Sequence, residues 1–196
     1  MMMKNLSDIG HFERLYQQDA DPWHLKQRWY EQRKRALILA CLPQQRYRSA
    51  YEPGCGNGMM TVALAQRCDQ LIASDGAPTA VQLTKERVLQ EAPHASVNVE
   101  QHALPGQWPQ QQFDLILMSE IAYYLAIPDF RELQAKAVAS LAPGGTLILC
   151  HWRGVFEDRA QSTEAVHGAF HDDPMLHSLC RYEDAEILIE VWSNSA

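Results

Sequence analysis

The stretch Ser49-Ala50-Tyr51-Glu52-Pro53-Gly54-Cys55-Gly56-Asn57-Gly58, continuing into Met59-Met60-Thr61-Val62-Ala63-Leu64-Ala65, decides how the chain is built. A short strand ends at Glu52, and glycines alternate at 54, 56 and 58. An apolar, helix-compatible run follows, with Val62 and Leu64-Ala65 available to a sheet. Alternating glycine lets the backbone turn tightly after a strand and lets a ligand approach main-chain N–H groups. The helix beyond aims its positive end at the same spot. The competing reading is a tight strand-to-helix turn and nothing more.

The spacing separates two ligand classes. A dinucleotide fingerprint runs G-x-G-x-x-G and seats a pyrophosphate on the helix N-terminus. Here the order is E-x-G-x-G-x-G, with Glu52 two residues before Gly54. An acid at the strand end repels a phosphate but accepts from a cationic or amino group. Strand, acid, glycine triplet and helix together resemble motif I of the class I S-adenosylmethionine methyltransferases. That resemblance implies S-adenosyl-L-methionine as cofactor, with Glu52, Gly54, Cys55 and Gly56 against it. A nicotinamide-dependent oxidoreductase is disfavoured by the same spacing. A non-catalytic S-adenosylmethionine-binding module is the second class to weigh, and the intact acidic and glycine motifs count against it.

The 196 residues suit one domain with a sizeable core. A net charge of −7 argues against a broad nucleic-acid surface. The five cysteines, at 41, 55, 68, 150 and 180, form no C-x-x-C pair and no zinc spacing, so no metal site is expected. Their scatter suits a reducing, cytoplasmic setting. Met1 to Gly10 lacks a long apolar stretch, so no signal peptide is expected. No run approaches the ~18 apolar residues of a membrane span. The expected partner is a small acceptor molecule, with neither nucleic acid nor membrane, and the expected state is a monomer or weak dimer.

From the start, His11 to Tyr16 reads as a short helix capped by Ser7 or Asp8. Asp21-Pro22-Trp23 is a loop, and Arg28 to Leu42 is a helix stopped by Pro43. Trp29, Tyr30, Arg33, Leu37 and Ala40-Cys41 recur along it at helical spacing. Residues 1–42 thus form a helical lid segment on a single domain. Either Arg28 to Arg35 is a solvated face with one aromatic packed inside, or it covers the ligand. In the second case Arg33 meets a carboxylate, and Trp23 or Tyr30 covers an aromatic ring. Cys68 to Asp75 is a second strand ending in an acid, followed by Gly76 and a helix from Pro78 to Gln90. An acid about 20 residues past the glycines is placed to accept from ribose hydroxyls. The competing reading makes Asp75 only an N-cap of the next helix.

Ala95 to Gln101 is the third strand. In the methyltransferase pattern an acid near this point reads the adenine amino group, whereas this chain has Gln101 and His102. The backbone of Ala103 or Leu104 is the remaining candidate. Phe113 to Glu120 has the continuous apolar run of a central parallel strand. It delivers Ser119 and Glu120, and then Tyr123 and Tyr124, to the carboxyl edge where open α/β sheets bind ligands. Pro128 to Leu141 is a helix, Ala142-Pro143-Gly144-Gly145 a turn and Thr146 to Cys150 the fifth strand. A helix near Thr163 to Phe170 precedes strands at Ser178–Arg181 and Glu186–Trp192, spaced for an antiparallel hairpin. The fold expected is α/β: a Rossmann-like, seven-stranded mixed sheet with a C-terminal antiparallel hairpin and helices on both faces.

Phe113-Asp114-Leu115-Ile116 and Leu141-Ala142-Pro143-Gly144-Gly145 match later motifs of the class I methyltransferases. The Asp21-Pro22-Trp23 loop, Trp29-Tyr30-Glu31-Gln32-Arg33-Lys34 and His151-Trp152-Arg153-Gly154 narrow the resemblance to the nodulation protein S family, over about residues 9 to 192. The family implies N-methylation of de-acetylated chitooligosaccharides. For this chain an amine of a small molecule or amino sugar is the expected acceptor, with an O-methyltransferase as the alternative. An amine must be neutral to attack, so His151 or Glu120, at the ends of strands five and four, is the candidate to handle its proton. Tyr123, Tyr124, Trp152 and Arg153 are the candidate acceptor contacts, the aromatics being equally suited to core packing.

Overall fold

The computed structural model describes residues 9–194. Its seven strands form one sheet in the order β3-β2-β1-β4-β5-β7-β6. β4 (Phe113–Ser119) pairs in parallel with β1 (Tyr47–Pro53) on one side and β5 (Leu141–Trp152) on the other. Layers cover it from both faces, which is why its sequence is apolar without alternation. β2 (Cys68–Asp75) and β3 (Val97–Gln101) continue the parallel half, and β7 (Ile187–Asn194) and β6 (Leu176–Glu183) add the antiparallel hairpin.

Ala50, Leu115, Leu117, Ile148 and Ile189 point to one face, where α2 (Trp29–Cys41), α3 (Met59–Ala65) and α4 (Pro78–Glu91) pack. Tyr51, Ile116, Met118, Leu149 and Trp192 point to the other, under α5 (Ile127–Ala139) and α6 (Thr163–His171). The two sets alternate along each strand, as the pleat requires. α1 (Ile9–Gln18) lies against α4, and Glu13 on it accepts from the Thr79 amide at 3.0 Å. The expected caps Ser7 and Asp8 lie outside the described residues.

Two local readings change. Ala142 to Gly145 belongs to β5 and does not merely precede it. Phe113 pairs with Leu141, and the next pair is Leu115 with Thr146, so the four intervening residues bulge out of the ladder. The hairpin strands also run past their expected bounds, β6 by two residues at each end and β7 by two at its carboxyl end, because their mutual backbone pairing continues through polar residues. In α2 the buried face is Glu31, Lys34 and Ile38, while Trp29 is 72% exposed. The aromatic-led phase read from the sequence is therefore rotated.

Candidate active site

β1 and β4 are neighbours in space but their following chains leave the sheet differently, and a crevice opens at their carboxyl ends. Gly54 and Gly56 turn the chain out of β1 with φ of 73° and 57°, in the left-handed region. A Cβ on Gly54 would sit 2.2 Å from Ile121 Cγ2, and one on Gly56 would sit 2.7 Å from the Tyr16 hydroxyl. No side chain fits at either position, so the loop backbone stays bare toward the crevice. The crevice is a cavity of about 530 Å³. Fourteen of the sequence candidates line it: Trp23, Tyr30, Glu52, Gly54, Cys55, Gly56, Asp75, Gly76, Leu104, Ser119, Glu120, Tyr123, Tyr124 and Trp152.

Asp75 Oδ2 accepts from the Gly56 amide at 3.0 Å and Oδ1 from the Ala77 amide at 2.9 Å. It therefore joins the glycine loop to the approach of α4 and lines the cavity, while the N-cap of α4 is Ala77 and not Asp75. Burial raises its carboxyl above the ordinary value, against the backbone bonds that lower it. Glu52 is 3% exposed, and its Oε2 is buried without a hydrogen-bond partner. Burial, with the negative charge of Asp75 added, pushes Glu52 up to about 8. The folded chain thus keeps a proton that the unfolded chain releases near the ordinary 4.5. The stability this group contributes is complete below that value and declines as pH rises toward about 8. Thermal unfolding should show this decline in the wild type and not in Glu52→Gln. Identical pH profiles for the two proteins would refute it.

Glu120 ends β4 with φ of 60°, a conformation uncommon outside glycine. The turn aims its carboxylate into a dense set of donors. Oε1 takes Lys34 Nζ at 3.0 Å and the Tyr30 hydroxyl at 3.2 Å. Oε2 takes the Trp152 amide at 2.9 Å and the Tyr123 hydroxyl. Burial pushes this carboxyl up, but Lys34 and the hydrogen bonds outweigh it, and the group is held below the ordinary range. Burial likewise opposes the Lys34 ammonium. Glu120 and Glu31, the latter at 2.8 Å, hold it charged above the ordinary lysine value. Phe12, Tyr16, Tyr124 and Phe156 complete a largely aromatic wall.

Four candidates lie elsewhere. Arg33 turns away to Asp184 and Tyr182 on the hairpin side, because Lys34 takes the inward phase of α2. Arg153 pairs with Glu183 at 3.0 Å and donates to the Asp184 carbonyl. Ala103 gives its amide to Gln107 Oε1 at 2.7 Å, away from the cavity. His151 is wholly buried behind Tyr123, whose ring centroid is 4.8 Å from its own. Its Nδ1 lies 3.0 Å from His167 Nε2, and His167 Nδ1 lies 2.8 Å from Glu190. Burial first, then the neighbouring His167, Lys34 and Arg159, push His151 well below the ordinary histidine value. Lining residues that sequence reasoning passed over include Lys34, Glu31, Phe12, Tyr16 and Phe156. Only the spacing of Glu31, Lys34 and Ile38 on one helix face carried a signal for any of them.

The sheet order, the glycine cradle, the buried unpartnered acid and the crevice define a class I S-adenosylmethionine-dependent methyltransferase. Residues 11–167 match the family model of nodulation protein S, and the chain belongs to that family. The nodulation protein S of Sinorhizobium fredii is 32% identical over 151 residues, covering 74% of this chain and 67% of the relative. That of Rhizobium tropici is 33% identical over 132 residues, covering 65% and 53%. The chain thus spans between about half and two thirds of these curated relatives. The crystal structure of N-methyltransferase NodS from Bradyrhizobium japonicum, in complex with S-adenosyl-L-homocysteine, superimposes with a TM-score of 0.82 at 23% identity, covering 98% of this chain and 100% of that one. A Pseudomonas syringae structure provisionally assigned as a methyltransferase is 44% identical, with a TM-score of 0.73, covering 85% of this chain and 100% of its own.

Proposed function

We propose that the protein methylates an amine nitrogen of a small molecule or amino sugar, with Glu120 as the residue that receives the amine. One observation carries this: a carboxylate kept ionised at the end of β4, among aromatic rings, inside the cavity. An anion so placed attracts an ammonium or orients the N–H bonds of an amine, and it repels an anionic acceptor. The relatives are nodulation protein S chains, and a structural neighbour carries the name N-methyltransferase, which supports a nitrogen acceptor.

The bound cofactor supplies a methyl group on a sulfonium, open to in-line attack. The loop from Gly54 to Gly56, with Glu52 and Asp75, would hold it, and the unpartnered Oε2 of Glu52 suits a polar group of the ligand. Tyr30, Tyr123 and Glu120 restrict where an acceptor nitrogen sits, and positioning of that kind contributes most to methyl transfer. Glu120 is a poor proton store, since its environment favours the ionised form. The amine therefore loses its proton to solvent before it attacks, beside a carboxylate whose two oxygens already take four donors. Incubation with labelled S-adenosylmethionine and a set of amines, amino sugars and short oligosaccharides tests this. Label on amines supports the proposal, and label only on hydroxyl acceptors overturns it.

Of the expected lid segment 1–42, residues 9–42 are described and belong to this reading as a lid on a single domain. Phe12, Tyr16, Trp23 and Tyr30 supply part of the cavity wall from that segment. Asn57 holds it through the Ala20 carbonyl and Asp21, both at 3.1 Å. Lys26 and Arg28 are exposed on it. Trypsin should cut there readily in the free protein and more slowly with S-adenosylhomocysteine, because lids order on binding. Equal cleavage rates would make the segment a fixed part of the core.

A further inference from the structure

A second set of titratable side chains lies behind the cavity wall. His151 on β5, His167 on α6 and Glu190 on β7 are each no more than 3% exposed. Glu190 pairs with Leu149, and strand residues two apart face the same way, so Glu190 and His151 share the sheet face of Trp192. α6 brings His167 to both, 3.0 Å from His151 and 2.8 Å from Glu190. On β6 the half-exposed Arg181 donates to Glu190 Oε1 at 2.7 Å. Burial pushes the Glu190 carboxyl up, but His167 and Arg181 outweigh it and hold the group below the ordinary range. A carboxylate only accepts, so His167 Nδ1 carries a hydrogen. The surroundings are apolar, with Val166, Phe170 and Trp192 in the same cluster. Apolar side chains would fill this space without desolvating three polar ones. His151 Nε2 is buried without a partner, which adds to that cost.

The hydrogen-bonded row ends on Tyr123, whose ring centroid is 4.8 Å from that of His151 at an interplanar angle of 58°. The Tyr123 hydroxyl donates to Glu120 Oε2. Ala160 and Gln161 anchor the Tyr123 carbonyl at 2.9 and 3.1 Å, which fixes the backbone of that turn and leaves the ring to its side-chain neighbours. A ring that only packs tilts with its surroundings. A ring bonded to a second histidine, itself bonded to a carboxylate, keeps one orientation. We propose that His167 and Glu190 are positioning residues for methyl transfer: they fix the ring of His151, which fixes the ring of Tyr123 and so holds its hydroxyl on Glu120. The proposal rests on the reading of Glu120 given above. None of the three residues of the row lines the cavity, so they act through Tyr123.

Kinetics with labelled S-adenosylmethionine and the amine that takes label in the screen above test this. His151→Phe keeps an aromatic ring against Tyr123 and loses the bond to His167, while His167→Leu and Glu190→Leu break the row further out. Each should lower kcat about ten- to a hundredfold, with affinity for S-adenosylhomocysteine within about threefold and the pH dependence of the wild type retained. In a Tyr123→Phe background, which has no hydroxyl to place, the same substitutions should cost about threefold or less. In the wild type, ¹⁵N NMR should show a coupling across one hydrogen shared by His151 Nδ1 and His167 Nε2, a readout that needs neither a variant nor an acceptor. Absence of that coupling overturns the proposal. Equal losses in both Tyr123 backgrounds, beside an impaired Glu120→Gln, make the row a structural element and overturn this proposal alone. Normal turnover in Glu120→Gln overturns the Glu120 reading and this proposal with it.

Discussion

Glu120→Gln is expected to lower kcat by ~10²–10³-fold, the usual cost of removing one preorganised electrostatic group from an active site. Affinity for S-adenosylhomocysteine should stay within about threefold, since Glu52, Asp75 and the glycine loop are untouched. Glutamine keeps the volume and one carbonyl acceptor but loses the charge that Lys34, Tyr30, Tyr123 and the Trp152 amide all address. The pH profile distinguishes the two possible roles of the wild-type carboxylate. A base with a lowered pKa is already ionised across the neutral range, so its titration should leave no mark there. The rate should instead rise with pH until the acceptor amine is neutral, following the amine's own pKa. His151→Ala is expected to leave that profile unchanged, because His151 meets the cavity only through the ring of Tyr123. A wild-type rate that titrates with a group other than the amine, and loses that titration in His151→Ala, would return the proton to the histidine. Normal turnover in Glu120→Gln would leave catalysis to positioning by the remaining wall.

Lys34→Met should cost about 3–5 kcal/mol of stability at neutral pH. Lys34 is 5% exposed, and its ammonium sits between the carboxylates of Glu31 and Glu120. Methionine fills most of the space and leaves two buried carboxylates without their shared cation. Both carboxyls would then shift upward, and the folded chain would bind protons that the unfolded chain does not. Stability of the variant should therefore be lowest at alkaline pH and recover as pH falls toward the ordinary carboxylate range. Urea unfolding across that range measures it. A loss of under ~1 kcal/mol, independent of pH, would place the pair among solvent-screened bridges.

Much of the frame is legible from local pattern. The glycine loop, Asp75 at the end of β2 and the apolar run of β4 each announce themselves, because backbone conformation and burial on both faces restrict residue choice strongly. Fourteen of the proposed site residues line one cavity: twelve stand at or just after strand ends that the fold brings to one edge, and Trp23 and Tyr30 come from the segment before β1. The bulge at Ala142–Gly145 was visible as turn chemistry, but its place inside β5 depends on Phe113 pairing with Leu141 before the register moves on. Trp29 and Tyr30 suggested an aromatic-led face for α2. The helix instead turns Glu31, Lys34 and Ile38 inward, because Glu120 across the cavity offers a buried charge that only the Lys34 phase can meet.

The sequence by itself determined the fold class, the strand carrying Glu52 and the glycine cradle, and the acids at the carboxyl ends of β2 and β4. Those features rest on backbone conformation, hydrophobic period and short spacing, all of which act locally. Tertiary structure decided which cation faces Glu120, that Arg33 and Arg153 pair with the hairpin, and that His151 lies behind Tyr123 in a chain to His167 and Glu190. Each of those outcomes joins residues distant in the chain. Charge and burial energies depend on three-dimensional neighbours, so no local pattern could have selected among them.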